Sequence, residues 1–97
     1  MDIKAIKNTT DSIYIQILRT NEYPLLLTAI CKMLKFKDPY QLEEELYGTE
    51  KGEDYSEIQE DRKSIQVVLS EQRVHIVIKS PKIEKYRENI FDIINTF

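Results

Sequence analysis

The sequence predicts a small α+β domain in which helices pack against a short antiparallel sheet. Three observations predict this class: a pair of adjacent β-rich runs late in the chain, helix-period apolar patterns before and after them, and a length of 97 residues. The predicted element order is β-α-α-β-β-α, with an antiparallel hairpin packed against the helices. Residues 1–97 are expected to form a single domain.

The first predicted strand is SIYIQIL, residues 12–18. Ile13, Ile15 and Ile17 alternate with other residue types, which is typical of a half-buried strand. Apolar residues four positions apart in the same stretch also suit a helix, so a helical alternative stays open here. The preceding residues, MDIKAIK, indicate a further short edge strand.

Two helices are predicted next. The first begins near Asn21 and Pro24, because proline is tolerated in a first helical turn, and continues to Phe36. It is apolar nearly all round, which is typical of a helix central to the core. The second is the short segment DPYQLEEELY, which Asp38 would cap and Gly48 would end.

The runs SIQVVL (64–69) and RVHIVIK (73–79) predict an antiparallel hairpin, because three polar residues separate two β-rich segments. A last helix is predicted to begin at Ser80 and Pro81 and to continue to about Asn95. Its apolar residues recur at spacings of three and four, which suits packing onto the sheet and also self-association. They are Ile83, Tyr86, Ile90, Ile93 and Phe97.

Charge is segregated along the chain. Residues 1–37 carry six Lys and Arg against three acids, residues 38–61 ten acids against one Lys, and residues 62–97 seven Lys and Arg against four acids. The formal net charge of −3 therefore conceals local fields of opposite sign. Residues 48–61 are predicted to form an acidic connector between the helical half and the hairpin, with a short strand around residues 55–58 as an option.

The acidic stretch is the candidate partner-binding surface. Tyrosines lie among its carboxylates, and tyrosine adds apolar area with a polar tip to a contact surface. The predicted contact residues are Glu43, Glu44, Tyr47, Glu50, Glu53, Asp54, Tyr55 and Glu57. Carboxylates in such a surface could occupy the positions of DNA phosphates on a nucleic-acid-binding partner. A solvated connector is the plainer interpretation of the same charges.

The sequence predicts no catalytic residue, metal ligand or cofactor. The single histidine, His75, is expected on the strand face opposite Val74 and Ile76, and the single cysteine, Cys31, is expected to pack as a small apolar residue. Their spacing does not support a nucleophile–base dyad. Phosphate-binding glycine motifs are absent, and the acidic stretch does not match a calcium-binding loop.

The functional prediction is a small non-enzymatic intracellular module that binds or inhibits a protein with a basic surface. The alternative is a winged-helix DNA-binding regulator, which would require residues 11–20 to be helical. Glu43, Glu44 and Glu45 would then face a phosphate-lined groove, so nucleic acid ranks second as a partner. Basic residues outside the acidic stretch could still contact nucleic acid through another face: Lys32, Lys35, Lys37, Arg73, Lys79, Lys82, Lys85 and Arg87.

A homodimer is a further option, through the C-terminal helix or an exposed edge of the hairpin. No membrane partner is expected, because the longest uncharged run, residues 23–31, is too short to span a bilayer. The N-terminal residues contain no apolar signal segment, and one cysteine cannot form an internal disulfide. Both observations favour a cytoplasmic location.

Overall fold

The computed structural model describes residues 2–40, 42 and 54–97, which form a five-stranded antiparallel sheet with helices packed on it. The elements follow one another as β1 (Ile3–Asn8), β2 (Ser12–Leu18), α1 (Tyr23–Met33), β3 (Asp54–Glu60), β4 (Lys63–Leu69), β5 (Arg73–Lys79) and α2 (Ile83–Thr96). Across the sheet the strand order is β1-β2-β5-β4-β3. β1 and β3 are therefore the edge strands.

The predicted α+β class is confirmed, but the predicted element order is wrong in part. Two strands rather than one precede α1, and three rather than two follow it. The additional strands lie where a short strand was predicted as an alternative. β1 lies in the first residues, and β3 in the second half of the acidic connector. Neither has a strong alternation of apolar and polar residues. An edge strand forms largely through pairing with its neighbour, so its own sequence need not show that alternation.

β2 is a strand and not a helix. Ile13, Ile15 and Ile17 are fully buried, whereas the residues between them are half-buried. β2 pairs along its length with β1 on one side and β5 on the other. The winged-helix alternative required a helix over residues 11–20, so that fold is wrong for this chain.

The helices cover one face of the sheet, which we call the core face. Its side chains in β2, β4 and β5 are aliphatic and have no exposed area: Ile13, Ile15, Ile17, Ile65, Val67, Leu69, Val74, Ile76 and Ile78. Leu26 and Ile30 from α1, with Ile83 and Ile90 from α2, join the same apolar cluster. Burial of this aliphatic surface is the main favourable term in folding.

The first helix begins as predicted but ends earlier. α1 has Pro24 in its first turn and ends at Met33, three residues before the predicted end at Phe36. The chain leaves the helix through Lys35, whose φ is 62°, in the left-handed region. The next predicted helix lies outside the described residues except for its beginning and Leu42, which is helical and buried. Asp38 Oδ1 accepts a hydrogen bond from the Tyr40 N–H at 3.1 Å.

The predicted hairpin is confirmed as β4 and β5, which pair from Ser64 and Lys79 to Leu69 and Val74. Both strands are internal to the sheet, because β5 also pairs with β2 and β4 with β3. The hairpin therefore has no open edge, and the prediction of self-association through one is wrong.

The last helix begins at Ile83, two residues after Pro81. Ser80 precedes it, and its Oγ accepts a hydrogen bond from the Lys82 N–H at 3.1 Å. The apolar residues at spacings of three and four pack onto the sheet, as the sequence predicts. Ile83 and Ile90 are fully buried, and the others of that set are partly buried against the core.

Candidate functional site

The predicted acidic contact surface is only partly within the described residues. Asp54, Tyr55 and Glu57 lie on the edge strand β3. The remaining predicted contact residues fall outside the described ranges: Glu43, Glu44, Tyr47, Glu50 and Glu53. The geometry of the candidate surface is therefore that of β3 and the strand beside it.

Alternation along β3 divides these residues between the two faces of the sheet. Ser56 and Ile58 face the core and are 4% and 5% exposed. Tyr55 and Glu57 lie on the opposite face, which we call the open face, and Tyr55 is 54% exposed. Asp54 shares the parity of Ser56, so the structure brings Tyr55 and Glu57 together and places Asp54 on the other side.

A short hydrogen bond joins the tyrosine and the carboxylate. The Tyr55 Oη donates to Glu57 Oε2 at 2.6 Å, and Gln66 Nε2 on β4 donates to Tyr55 Oη at 3.2 Å. The bond from Tyr55 lowers the pKa of the Glu57 carboxyl and raises the pKa of the Tyr55 hydroxyl. Glu57 therefore keeps its negative charge, and Tyr55 its proton, over a wider pH range than usual.

β3 is an acidic edge strand. It pairs with β4 on one side, and the described residues place no strand on its other side. Residues 54–61 contain four acids and no Lys or Arg. One of them, Glu60, is engaged locally, since its Oε2 accepts a hydrogen bond from the Lys37 N–H at 3.0 Å. Among the described residues, β3 thus combines an edge that no second strand covers with an excess of negative charge.

Sequence reasoning missed a polar network on the open face of the central strands. Tyr14 Oη lies 2.8 Å from His75 Nδ1, and Arg73 Nη1 donates to Gln16 Oε1 at 3.1 Å. All four side chains are half-buried. His75 lies on the face that its strand position predicts, but it has bonded neighbours there. Those neighbours depend on the register between β2 and β5, in which Gln16 is opposite His75.

Cys31 and His75 lie on different sides of the sheet. Cys31 is fully buried in the core cluster, as expected of a small apolar residue, whereas His75 is on the open face. Burial, with a smaller effect of the Asp38 charge, raises the pKa of the Cys31 thiol to about 12. The thiol therefore stays protonated at neutral pH and does not face the imidazole.

Comparison with known proteins adds no relative: no family model, no curated protein and no solved structure matches the chain significantly. Over residues 2–40, 42 and 54–97, no group of three or more His, Cys, Asp or Glu is arranged to hold a metal ion. In the same ranges, no helix has both the length and the apolar character needed to cross a bilayer. Functional inference for this chain therefore starts from its surfaces.

Proposed function

We propose that this chain is a small non-enzymatic module that binds a basic, extended segment of a partner protein along the β3 edge. One observation supports this most directly: β3, which has one neighbouring strand among the described residues, carries the exposed Tyr55–Glu57 pair and two further acids, with no Lys or Arg. Binding through this edge would occupy the partner segment and so inhibit whatever else uses it.

The main chain would supply much of the affinity. An extended peptide that adds to a sheet edge forms a ladder of backbone hydrogen bonds, and its alternate side chains supply specificity. β3 has seven residues, which is long enough for several such bonds. Negative charge along the strand would attract a basic segment from a distance and accelerate association.

The side chains of β3 define the partner sequence that fits best. Tyr55 and Glu57 are two residues apart on the open face, so they would lie opposite two alternate residues of an added antiparallel strand. A Lys or Arg opposite Glu57 would form an ion pair, and an apolar residue opposite Tyr55 would cover its ring. The expected partner motif is therefore a Lys or Arg followed two residues later by an apolar residue.

A peptide titration followed by amide NMR shifts tests this proposal. The probe is an eight-residue blocked peptide with the repeat Lys-Thr-Val-Thr, which places Val two residues after each Lys, and the control peptide replaces Lys with Glu. We expect the basic peptide to shift amides of β3 and of the residues beside Tyr55, and the acidic peptide to shift none. β1 is an internal control, because it is the other edge strand but carries Lys4 and Lys7.

Charge reversal at one position sharpens the test. Glu57→Lys should weaken binding of the basic peptide by about tenfold, since an attraction becomes a repulsion next to the bound strand. Glu71→Lys, in the exposed β4–β5 turn, makes the same change in net charge and should leave the affinity within about twofold. Equal shifts on β1 and β3, or equal affinities of the two variants, would contradict edge binding at β3.

A further inference from the structure

A basic cleft lies at the end of the sheet where the β3–β4 turn, the C-terminal end of α1 and the loop before α2 meet. Its volume is about 610 Å³. Within the described part of the chain, the cleft is lined by one acid, Asp61, and by five cationic side chains. The cations are Lys35, Arg62, Lys63, Lys82 and Lys85. Lys79 and one acid, Asp11, line an adjoining recess of about 400 Å³ that shares Arg62 and Lys63 with the cleft. This concentration of positive charge occurs on a chain whose net charge is −3.

Among the described residues, no ion pair joins a cation of the cleft to a carboxylate. The ion pair recorded there joins Arg87 to Glu84 on α2, and neither residue lines the cleft. Lys63 has a structural role, because its Nζ donates to the carbonyl oxygens of Leu34 and Lys35 at 2.7 and 3.0 Å. Like charges around a concave surface repel one another and produce a concentrated positive potential. A bound anion would reduce that repulsion.

Backbone conformation distinguishes the same cleft. Lys35 has a φ of 62° and Asp61 a φ of 48°, and they are the described non-glycine residues with positive φ. Both line the cleft. A residue that ends a helix in this conformation is usually glycine, because the left-handed region crowds a Cβ. Lysine at position 35 therefore adds a cation at a strained backbone position, and strained positions of this kind cluster at functional sites.

We propose that this cleft binds a free nucleoside polyphosphate. Lys and Arg side chains are the usual partners of phosphate oxygens, and arginine can contact two of them at once. The cleft has the size of small-molecule pockets, and the half-buried ring of Tyr86 lines it and offers a surface for a base. This inference is independent of the β3 edge, because no residue of β3 lines the cleft and Asp61 lies in the turn that follows the strand.

Amide NMR titrations with three compounds test the ligand class. Adenosine triphosphate, inorganic triphosphate and adenosine are each added without magnesium, which would neutralise the phosphates. We expect both phosphate compounds to shift the amide resonances of residues 35, 61–63, 80 and 82–86, with the nucleotide binding at least threefold tighter than inorganic triphosphate. Adenosine alone should cause no shift at the same concentration. Raising the salt concentration from 0.1 to 0.5 M should weaken nucleotide binding by at least tenfold.

Matched charge-reversal variants distinguish a specific binding site from general electrostatic attraction of the nucleotide to the protein. The double variant Arg62→Glu/Lys82→Glu should lose nucleotide affinity by at least tenfold. Lys4→Glu/Lys7→Glu, on the exposed β1 edge, changes net charge equally and should retain affinity within about twofold. Equal losses in the two double variants, or amide shifts spread over the whole surface, would overturn the proposal.

Two further measurements test the role of strain and the source of the phosphate. Lys35→Gly should raise the melting temperature and weaken nucleotide binding, because it removes both the strained Cβ and a cation. A higher melting temperature with unchanged affinity would contradict a binding role for Lys35.

A ten-nucleotide oligothymidine that binds the cleft at least a hundredfold tighter than adenosine triphosphate would overturn the assignment to a free nucleotide.

Discussion

The two faces of the central strands differ sharply although they are made from the same residues in alternation. On β5, Val74, Ile76 and Ile78 have no exposed area, whereas Arg73 and His75 are half-buried and polar. On β2, β4 and β5 the core face is aliphatic, and α1 and α2 cover it. The open face instead carries directional hydrogen bonds, among them Tyr14 to His75. Alternation thus lets one strand bury apolar side chains on one side and hold a hydrogen-bonded polar network on the other.

The largest expected difference between the faces is in stability. Ile76→Ala removes buried methylene groups and leaves a cavity, which should lower the free energy of unfolding by about 2–5 kcal/mol. Val77→Ala, at the next position but on the half-buried open face, should cost about 1 kcal/mol or less. Urea denaturation of both variants measures the comparison. Equal losses would mean that the open face is packed as tightly as the core, contrary to the burial pattern.

Burial on the core side of the sheet should also slow the reactions of the Cys31 thiol. A pKa of about 12 at Cys31, against an ordinary 9.0, leaves a thiolate population at pH 8 that is lower by roughly three orders of magnitude. Native protein should therefore react with a disulfide reagent far more slowly than protein unfolded in urea. Because the unfolded thiol ionises near pH 9 and the folded thiol does not, stability should decrease as pH rises above 9. Native and unfolded rates that agree within tenfold would exclude burial of the thiol.

The smallest expected effect concerns the open face alone. Tyr55→Phe removes the hydroxyl that donates to Glu57, so the Glu57 pKa should rise back toward its usual range. The carboxylate would then be protonated at a higher pH than in the unchanged protein. A pH titration of the Glu57 side-chain carbon by NMR measures this shift, while the melting temperature should hardly change because both residues are exposed. An unchanged Glu57 pKa would show that the Tyr55 bond does not form in solution.

Local patterns were sufficient for the elements that carry strong periodicity. α1, the β4–β5 hairpin and α2 were predictable, because burial of one face leaves a period of two or of three to four residues in the sequence. For β2 the pattern favoured a strand but left a helix open, and pairing with β1 and β5 decided between them. β1 and β3 were suggested only as options, since edge strands expose most of their side chains: Ile6 at one edge is 42% exposed and Tyr55 at the other 54%. For the candidate surface, sequence reasoning selected Tyr55 and Glu57 but did not separate them from Asp54.

The sequence by itself determined the α+β class, the aliphatic core positions and the segregation of charge, because each depends on residue types at short spacing. Only the tertiary structure decided which distant residues meet. The pairing of β2 with β5 places Tyr14 beside His75, although 61 residues separate them. The fold likewise gathers Lys35, Arg62 and Lys82 from three segments into one cleft. Such contacts depend on strand register and helix placement, which are set by burial of the whole core rather than by any local stretch.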